Sequence, residues 1–449
     1  MAEIAPFQGL RYDLTRVGDA SRVLSPPYDV ISEAERLDLE ARHPQNVVRI
    51  ELPHGEGDAR YNNAAGLLDS WIAEGVLRRD SQPALYRYEQ QFSWPSERGQ
   101  AYTRKGFIGL LKLEPFEARV VLPHEHTLSA PKEDRRKLMR ATKAHISQIF
   151  GLFRDPEGAT IQPFAAVEGT APVLDATTPD GCRHRMWALT DRTAIARVAE
   201  VLRDRQILIA DGHHRYETMV SLSAELRPRG RPPGRSAADW GTVFLARAED
   251  PGLLVLPTHR LVKNLPDFNM VALRAAAAPA FEIWQTADGA VSPGAASGRL
   301  ANEIEERLTR EGKQRVVFAV RAAGETETTW LALREGVDLS ALGPPALRRL
   351  DVTVLHGVLL APLLGIDAGA MAKQSYLGYT HNTTEAINAV SAGEVQGAFM
   401  MNATKVEDVL QACEAGFVLP QKSTYFQPKL ATGLVINKID PHAEIVTPR

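Results

Sequence analysis

Gln206-Ile207-Leu208-Ile209-Ala210-Asp211-Gly212-His213-His214-Arg215-Tyr216 is an apolar run that stops at an Asp-Gly turn and restarts with two histidines and an arginine. Beyond it, Tyr216, Met219, Val220, Ser223 and Leu226 recur at helical spacing. The pattern predicts strand, tight turn, helix. Such a turn sets polar side chains at a helix mouth, where unpaired backbone N–H groups and the positive end of the dipole attract anions. Asp-Gly alone is an ordinary turn, and a single histidine is commonly structural. Asp, Gly, two His and Arg together at one junction predict phosphate binding.

Upstream, Arg119–Leu122 reads as a short strand delivering Pro123-His124-Glu125-His126-Thr127. Ser129 and Pro131 mark a helix start, with Glu133 and Asp134 in its first turn and Leu138, Ala141, His145 and Ile149 following at helical spacing. Arg135, Arg136, Lys137, Arg140 and Lys143 make this helix basic, a solvated face by default and a set of nucleotide contacts as the alternative. Nearer the N-terminus, Ser25-Pro26-Pro27-Tyr28-Asp29-Val30-Ile31 is an extended proline turn, and Ser32 caps a helix over Glu33–Arg42. A helix through Ala64, Leu68 and Trp71 and strands at Leu85–Phe92 and Thr103–Leu113 complete this part. A strand at Arg185–Leu189 and a helix at Arg192–Arg205 lead into the central run.

Downstream, Arg227–Arg235 reads as an exposed, mobile basic loop placed to reach over a phosphate ligand, or as a solubilising linker. Leu253–Arg260 is a further strand. From about residue 266 the composition turns alanine-rich, with a helix through Leu300, Ile304 and Leu308, strands at Val316–Val320 and Thr329–Leu333, and a helical region from Pro345 to Leu364. The last hundred or so residues alternate strand and helix and end in Leu419–Lys429 and a strand at Thr432–Ile436. The expected class is α/β (α+β), divided as 1–115, 116–265 and 266–449.

Composition narrows the functions. Of 449 residues, 44% are hydrophobic and 24% charged, and a net charge of −3 gives no electrostatic basis for nucleic acid or anionic membrane as partner. Cys182 and Cys413 have no ligand-like spacing, which fits a reduced, cytoplasmic setting. No basic-then-apolar leader opens the chain, and no apolar run is long enough to cross a bilayer.

Three clusters carry chemistry: His124-Glu125-His126, Asp211 to Arg215, and Lys422-Ser423-Thr424. Phosphoryl transfer needs cations and oriented N–H groups on the phosphoryl, usually Mg²⁺, and a carboxylate for the acceptor hydroxyl. Asp211, Gly212, His213, His214 and Arg215 would hold the nucleotide phosphates, with Asp211 also a Mg²⁺ ligand. Lys422, Ser423 and Thr424, with His124, would take the acceptor. Glu125 would be the base, and Asp211 and His214 would share in catalysis. A histidine-rich metal centre (His124, His126, His213, His214, Asp211) serving a phosphatase or nuclease is the alternative. There is no G-x-S-x-G, G-x-x-x-x-G-K-[ST] or G-x-G-x-x-G signature.

The strings Ser25–Ile31, Leu122–Arg135, Ala210–Thr218 and Pro420–Phe426 resemble the hallmarks of DUF1015, a bacterial and archaeal family of unknown function. More distantly, the Pro-His-Glu, Asp-Gly-His-His-Arg and Pro-x-Lys-x-Thr elements, in that order, are similar to those of archaeal free serine kinases. That resemblance implies a ParB/sulfiredoxin-like core with additional N- and C-terminal regions, ATP or ADP as donor, and L-serine converted to O-phospho-L-serine. It puts Glu125 on the base, Asp211 to Arg215 on the nucleotide-phosphate loop, and Lys422 and Thr424 on the substrate's phosphate. ParB-like domains also occur in DNA partition proteins, so a nucleotide-dependent switch or DNA-associated protein is the second reading. The chain departs from the kinases in its long N-terminal extension and in a longer insertion between the Glu125 and Asp211 motifs.

Overall fold

A computed structural model describes every residue except 95–98, 126–128, 289–293, 374, 421 and 449; for 129–131, 295, 368, 372 and 373 it gives the backbone alone. His126 therefore lies outside the described residues. The chain divides into two units, Met1–Leu254 with Pro428–Arg449, and Val255–Gln427. Both are mixed α/β.

The first unit contains strands β1 (Ile4–Ala5), β2 (Leu85–Ser93), β3 (Ala101–Lys112), β4 (Val121–Leu122), β5 (Ile149–Phe153), β6 (Leu174–Thr177), β7 (Arg183–Leu189), β8 (Ile207–Asp211) and β9 (Trp240–Arg247). Among the described residues these form one nine-stranded sheet in the order β4-β8-β5-β9-β3-β2-β7-β6, with β1 on β3. Strands from either side of residue 116 thus share one sheet. β4 and β8 run parallel, pairing Val121 with Ile207 and Leu122 with Leu208, while β5 runs antiparallel to β8. Whatever follows β4 and β8, and whatever precedes β5, therefore emerges at the same sheet end.

Its main helices are α1 (Glu33–Arg42), α2 (Ala59–Ala73), α3 (Ser129–Thr142), α4 (Arg192–Arg203) and α5 (His213–Leu226). Ser32 and Glu35 close a capping box on α1, as its sequence spacing requires. α4 buries Ile195, Val198, Ala199 and Leu202, one helical stripe, against Ile149, Ile207 and Leu245 of the sheet core. α3 is shorter than its apolar spacing suggests. Lys143 takes a left-handed φ of 46° and ends it, so His145 pairs in a short ladder with Asn437 and Ile149 opens β5. The segment 432–436 is not a strand. Its backbone is tied one residue at a time, Thr432 to Ser25 and Ile436 to Leu10, with Gln148 donating to the Val435 carbonyl at 2.6 Å.

The cations of α3 are matched by carboxylates: Arg135 with Glu51 and Asp134, Arg136 with Glu133, Lys137 with Asp58, and Arg140 with Glu225. In the loop after α5, Arg227 pairs with Asp239, Arg231 donates to the carbonyls of His442 and Ala443, and Arg235 meets Glu444. These arginines are held by the chain's own acceptors.

In the second unit, β10 (His259–Val262), β11 (Phe281–Ala287), β12 (Val317–Ala322), β13 (Glu327–Leu333), β14 (Leu377–Thr380) and β15 (Gly397–Met400) form, among the described residues, a six-stranded sheet ordered β11-β13-β12-β15-β10-β14. Helices Ala295–Glu311 and Thr383–Ser391 supply Leu300, Ile304, Leu308, Ala386 and Ile387 to its core. The run expected at Leu253–Arg260 is interrupted at Pro257, which cannot donate to a ladder. The helical region before Leu364 breaks into short pieces with a π-helical turn at Leu355–Leu360, just ahead of Pro362. Among the described residues, no helix is long and apolar enough to cross a membrane.

Candidate functional site

The parallel β4–β8 pair brings His124 and Glu125 to the same sheet end as the Asp211–Arg215 junction. The backbone N–H of His124 donates to His213 Nε2 at 3.2 Å, and the two rings meet edge to face with centroids 4.5 Å apart. His124 Nδ1 donates to the Ile209 carbonyl at 2.6 Å, which leaves Nε2 unprotonated in the neutral ring and 3.6 Å from Glu125 Oε1. Burial, and then His124, push the His213 imidazole down to about 3, so it is neutral at ordinary pH. Since its Nε2 accepts, Nδ1 carries the proton. His213 can offer this site a hydrogen bond but no charge.

Gly212 makes the turn, with φ 92°, in the left-handed region that glycine enters without steric cost. A Cβ there would lie 3.0–3.2 Å from three atoms of the Arg215 guanidinium, so the turn and the arginine are fitted to each other. Arg215 is 3% exposed. It donates to the Gln148 carbonyl at 2.6 Å, because Gln148 precedes β5 at this same sheet end.

Asp211 sits between two cations. Its Oδ2 is 3.7 Å from Arg215 Nη2 and its Oδ1 is 3.7 Å from Lys429 Nζ. Burial acts to raise the carboxyl, but Lys429 and Arg215 outweigh it and hold Asp211 below the usual carboxylate range. His214, one residue into α5, is half-buried; burial and then Lys132 lower its imidazole. Lys132 itself meets Glu217 at 2.5 Å.

The proline-tyrosine segment also belongs here. The guanidinium of Arg135 lies 4.2 Å over the Tyr28 ring, while Arg135 donates to the Glu51 carbonyl at 2.9 Å. Burial pushes the Tyr28 phenol up to about 12 against the pull of Arg215, and Asp29 is among the charges acting on His214. Tyr28 and Asp29 are thus within electrostatic reach of the junction.

Seen as a whole, the site is a helix mouth with an ionised carboxylate, two flanking cations, two neutral histidines and a second carboxylate, Glu125, on the neighbouring strand end. Helix mouths with these features accept phosphate oxygens. The family model for the protein of unknown function DUF1015 matches residues 4–353. The chain belongs to the DUF1015 family. No curated protein matches it. Among solved structures it is similar to a conserved hypothetical protein from Pyrococcus furiosus, at 16% identity over 69% of this chain and 89% of that one, with TM-score 0.33. It is also similar to a mutant free serine kinase in complex with AMP, at 14% identity over 73% and 89%, TM-score 0.35. A third is SbnI with a C-terminal truncation from Staphylococcus aureus, at 10% identity over 73% and 86%, TM-score 0.33.

The third sequence cluster of this DUF1015 chain lies in the second unit. Lys422 is exposed and takes a left-handed φ of 59°. Its carbonyl accepts from buried Arg260 Nη2 at 3.2 Å, and Arg260 Nε donates to His356 Nε2 at 3.1 Å. Ser423 turns its hydroxyl inward to the Pro420 carbonyl, and its own carbonyl accepts from Thr404 at 2.8 Å. Thr424 is half-buried.

Metal ligation can be tested on the donor set. Among the described residues no group of three or more His, Cys, Asp or Glu side chains is placed to hold a metal ion. His124 Nδ1 and His213 Nε2 bond to the Ile209 carbonyl and the His124 backbone N–H, so each ring has one nitrogen engaged by the protein. Asp211, an ionised lone carboxylate, fits the way Mg²⁺ is usually held, by one or two carboxylates with substrate phosphates and water.

Sequence reading missed Lys429 and Gln148 as parts of this site, while Ser25–Ser32, which holds Tyr28, reads either as a structured loop near a site or as a rigid proline turn. The proline turn was a usable signal for Tyr28. Lys429 carried none, since only the return of residues 428–449 to the first unit brings it to Asp211.

Proposed function

We propose that this DUF1015 protein transfers a phosphoryl group from a nucleotide, ATP or ADP, to the hydroxyl of a small molecule, with free L-serine as acceptor and O-phospho-L-serine as product. The observation that carries the reading is the His124–His213 contact. It sets Glu125 beside a helix mouth that carries an ionised carboxylate between two cations. The motif order shared with free serine kinases supports the choice of acceptor.

The acceptor oxygen bonds to the terminal phosphorus as the bond from that phosphorus to the leaving nucleotide oxygen breaks, and the leaving oxygen keeps the electron pair. The hydroxyl proton passes to Glu125. His124 is held in place through Nδ1, which donates to the Ile209 carbonyl, and so fixes the backbone from which Glu125 projects. The first N–H groups of α5 and Arg215 counter the negative charge of the phosphoryl oxygens. His213 and His214 add neutral donors. Mg²⁺ entering with the nucleotide would be held by Asp211 and the phosphates and would neutralise part of their charge.

The test is incubation with ATP or ADP, Mg²⁺ and a panel of hydroxyl amino acids, read by mass for a phosphorylated product. Absence of both product and nucleotide hydrolysis across the panel rejects the reading. Glu125→Gln should lower turnover by roughly 10²–10⁴-fold, the usual worth of a positioned base, while nucleotide affinity is retained. Near-normal turnover in that variant removes Glu125 from the mechanism.

A further inference from the structure

Lys429 lies 218 positions from Asp211 in the sequence, yet its ammonium stands 3.7 Å from Asp211 Oδ1. Its backbone is gripped from inside the sheet. Gln90 Nε2 donates to the Lys429 carbonyl at 3.0 Å, and Arg104 Nη2 donates to the neighbouring Pro428 carbonyl at 2.5 Å. Arg104 and Gln90 are fully buried and bonded to each other, and the Arg104 guanidinium lies 4.6 Å over the Phe150 ring. A buried guanidinium and a buried amide, each spent on one of two successive carbonyls, fix where this lysine starts.

The side chain itself is 17% exposed. Its distance to Asp211 exceeds the ~2.7–2.9 Å of a charge-assisted hydrogen bond, so the pair is an electrostatic contact rather than a closed ion pair. Arg215 approaches Asp211 from the other oxygen but is 3% exposed and tied to Gln148. Of the two cations, Lys429 is the one with a flexible stem and a compact ammonium able to turn toward an arriving anion.

We propose that Lys429 is a nucleotide ligand of this site: on binding, its ammonium moves from Asp211 to an oxygen of the nucleotide's terminal phosphate, from a backbone position set by Arg104 and Gln90. The proposal rests on the nucleotide-binding part of the function proposed above and adds the residue that reads the phosphate beyond the α-phosphate. No covalent bond is made or broken. Asp211, relieved of one cation, becomes the more available carboxylate for an incoming Mg²⁺.

Calorimetric titration of the full chain with AMP and with ADP, each with Mg²⁺, separates the terms. The wild type should bind ADP more tightly than AMP. Lys429→Met should lose at least about tenfold of that gain while AMP affinity stays put, and Lys429→Arg should restore part of it. On the wild type alone, ADP but not AMP should shield Lys429 from an amine-acylating reagent, read by peptide mass, which keeps the test alive if Lys429→Met misfolds. An unchanged ADP-over-AMP gain in Lys429→Met, or equal acylation with both nucleotides, overturns the role of Lys429 and leaves nucleotide binding standing. A wild type that binds neither nucleotide overturns both.

Discussion

Replacing Gly212 with alanine isolates the fit between the turn and Arg215. At φ 92° any L-residue is strained, by roughly 1–3 kcal/mol. Gly230, with φ 81° and no atom within 4 Å of an added Cβ, carries that strain alone and is the control. At Gly212 the new methyl would also stand 3.0, 3.1 and 3.2 Å from Nη2, Nε and Cζ of Arg215. The guanidinium would have to give by a few tenths of an ångström, and its bond to the Gln148 carbonyl at 2.6 Å resists that. Losing a buried charge-assisted hydrogen bond costs about 1.5–3 kcal/mol, so Gly212→Ala should cost ~2.5–6 kcal/mol against ~1–3 for Gly230→Ala. Because the chain has two units, a single unfolding midpoint mixes them. Hydrogen exchange across residues 207–226 reads the loss locally. Equal exchange rates there in the two variants would refute the coupling of turn and arginine.

Further outcomes follow from burial. Arg135→Met strips the partner from Glu51, which is 2% exposed, and should destabilise the first unit by about 3–5 kcal/mol. Adding Glu51→Gln should recover much of it, and a double-mutant cycle showing simple additivity would contradict a buried pair. Burial holds His145 and His184 down to about 4 and His213 to about 3, whereas the unfolded chain takes up those protons near pH 6.5. Their folded pKa values are depressed, so their stabilisation is complete above about pH 6.5. Below that pH it falls by about 1.4 kcal/mol per unit per histidine until the folded values are reached. Local exchange in the first unit should therefore accelerate steeply from pH 6.5 to 4.5 after correction for intrinsic rates, and a flat profile would show the three rings to be accessible.

Local signals in the sequence carried most of the elements. Ser32 three residues before Glu35 marked the start of α1, and the apolar run to Asp211 with the spaced Tyr216, Met219 and Ser223 marked β8 and α5. Elements set by distant partners were illegible. Lys143 in a left-handed conformation has no local signature, so the helix was read through to Ile149. Thr432–Ile436 has a strand's composition, but Ser25 exchanges a pair of backbone hydrogen bonds with Thr432, Leu10 a pair with Ile436, and Gln148 takes the Val435 carbonyl, so no single strand partners it. In the site, the residues of β4 and β8 could be nominated because each cluster closes an apolar run. Placing them side by side took the parallel register of Val121 with Ile207, and Lys429 and the Tyr28–Arg135 stack are contacts that no window of sequence contains.

The first unit is discontinuous, and this sets an order on biosynthesis. Ser25, Gln148 and Asp211 all take partners from residues 428–449. At ~5–20 residues per second, translating residues 255–427 takes roughly 10–35 s, during which a nascent chain holds the Asp211 junction without Lys429. A nascent chain at that stage presents β8 and α5 with Asp211 facing Arg215, and the second cation of the pair arrives only with Lys429.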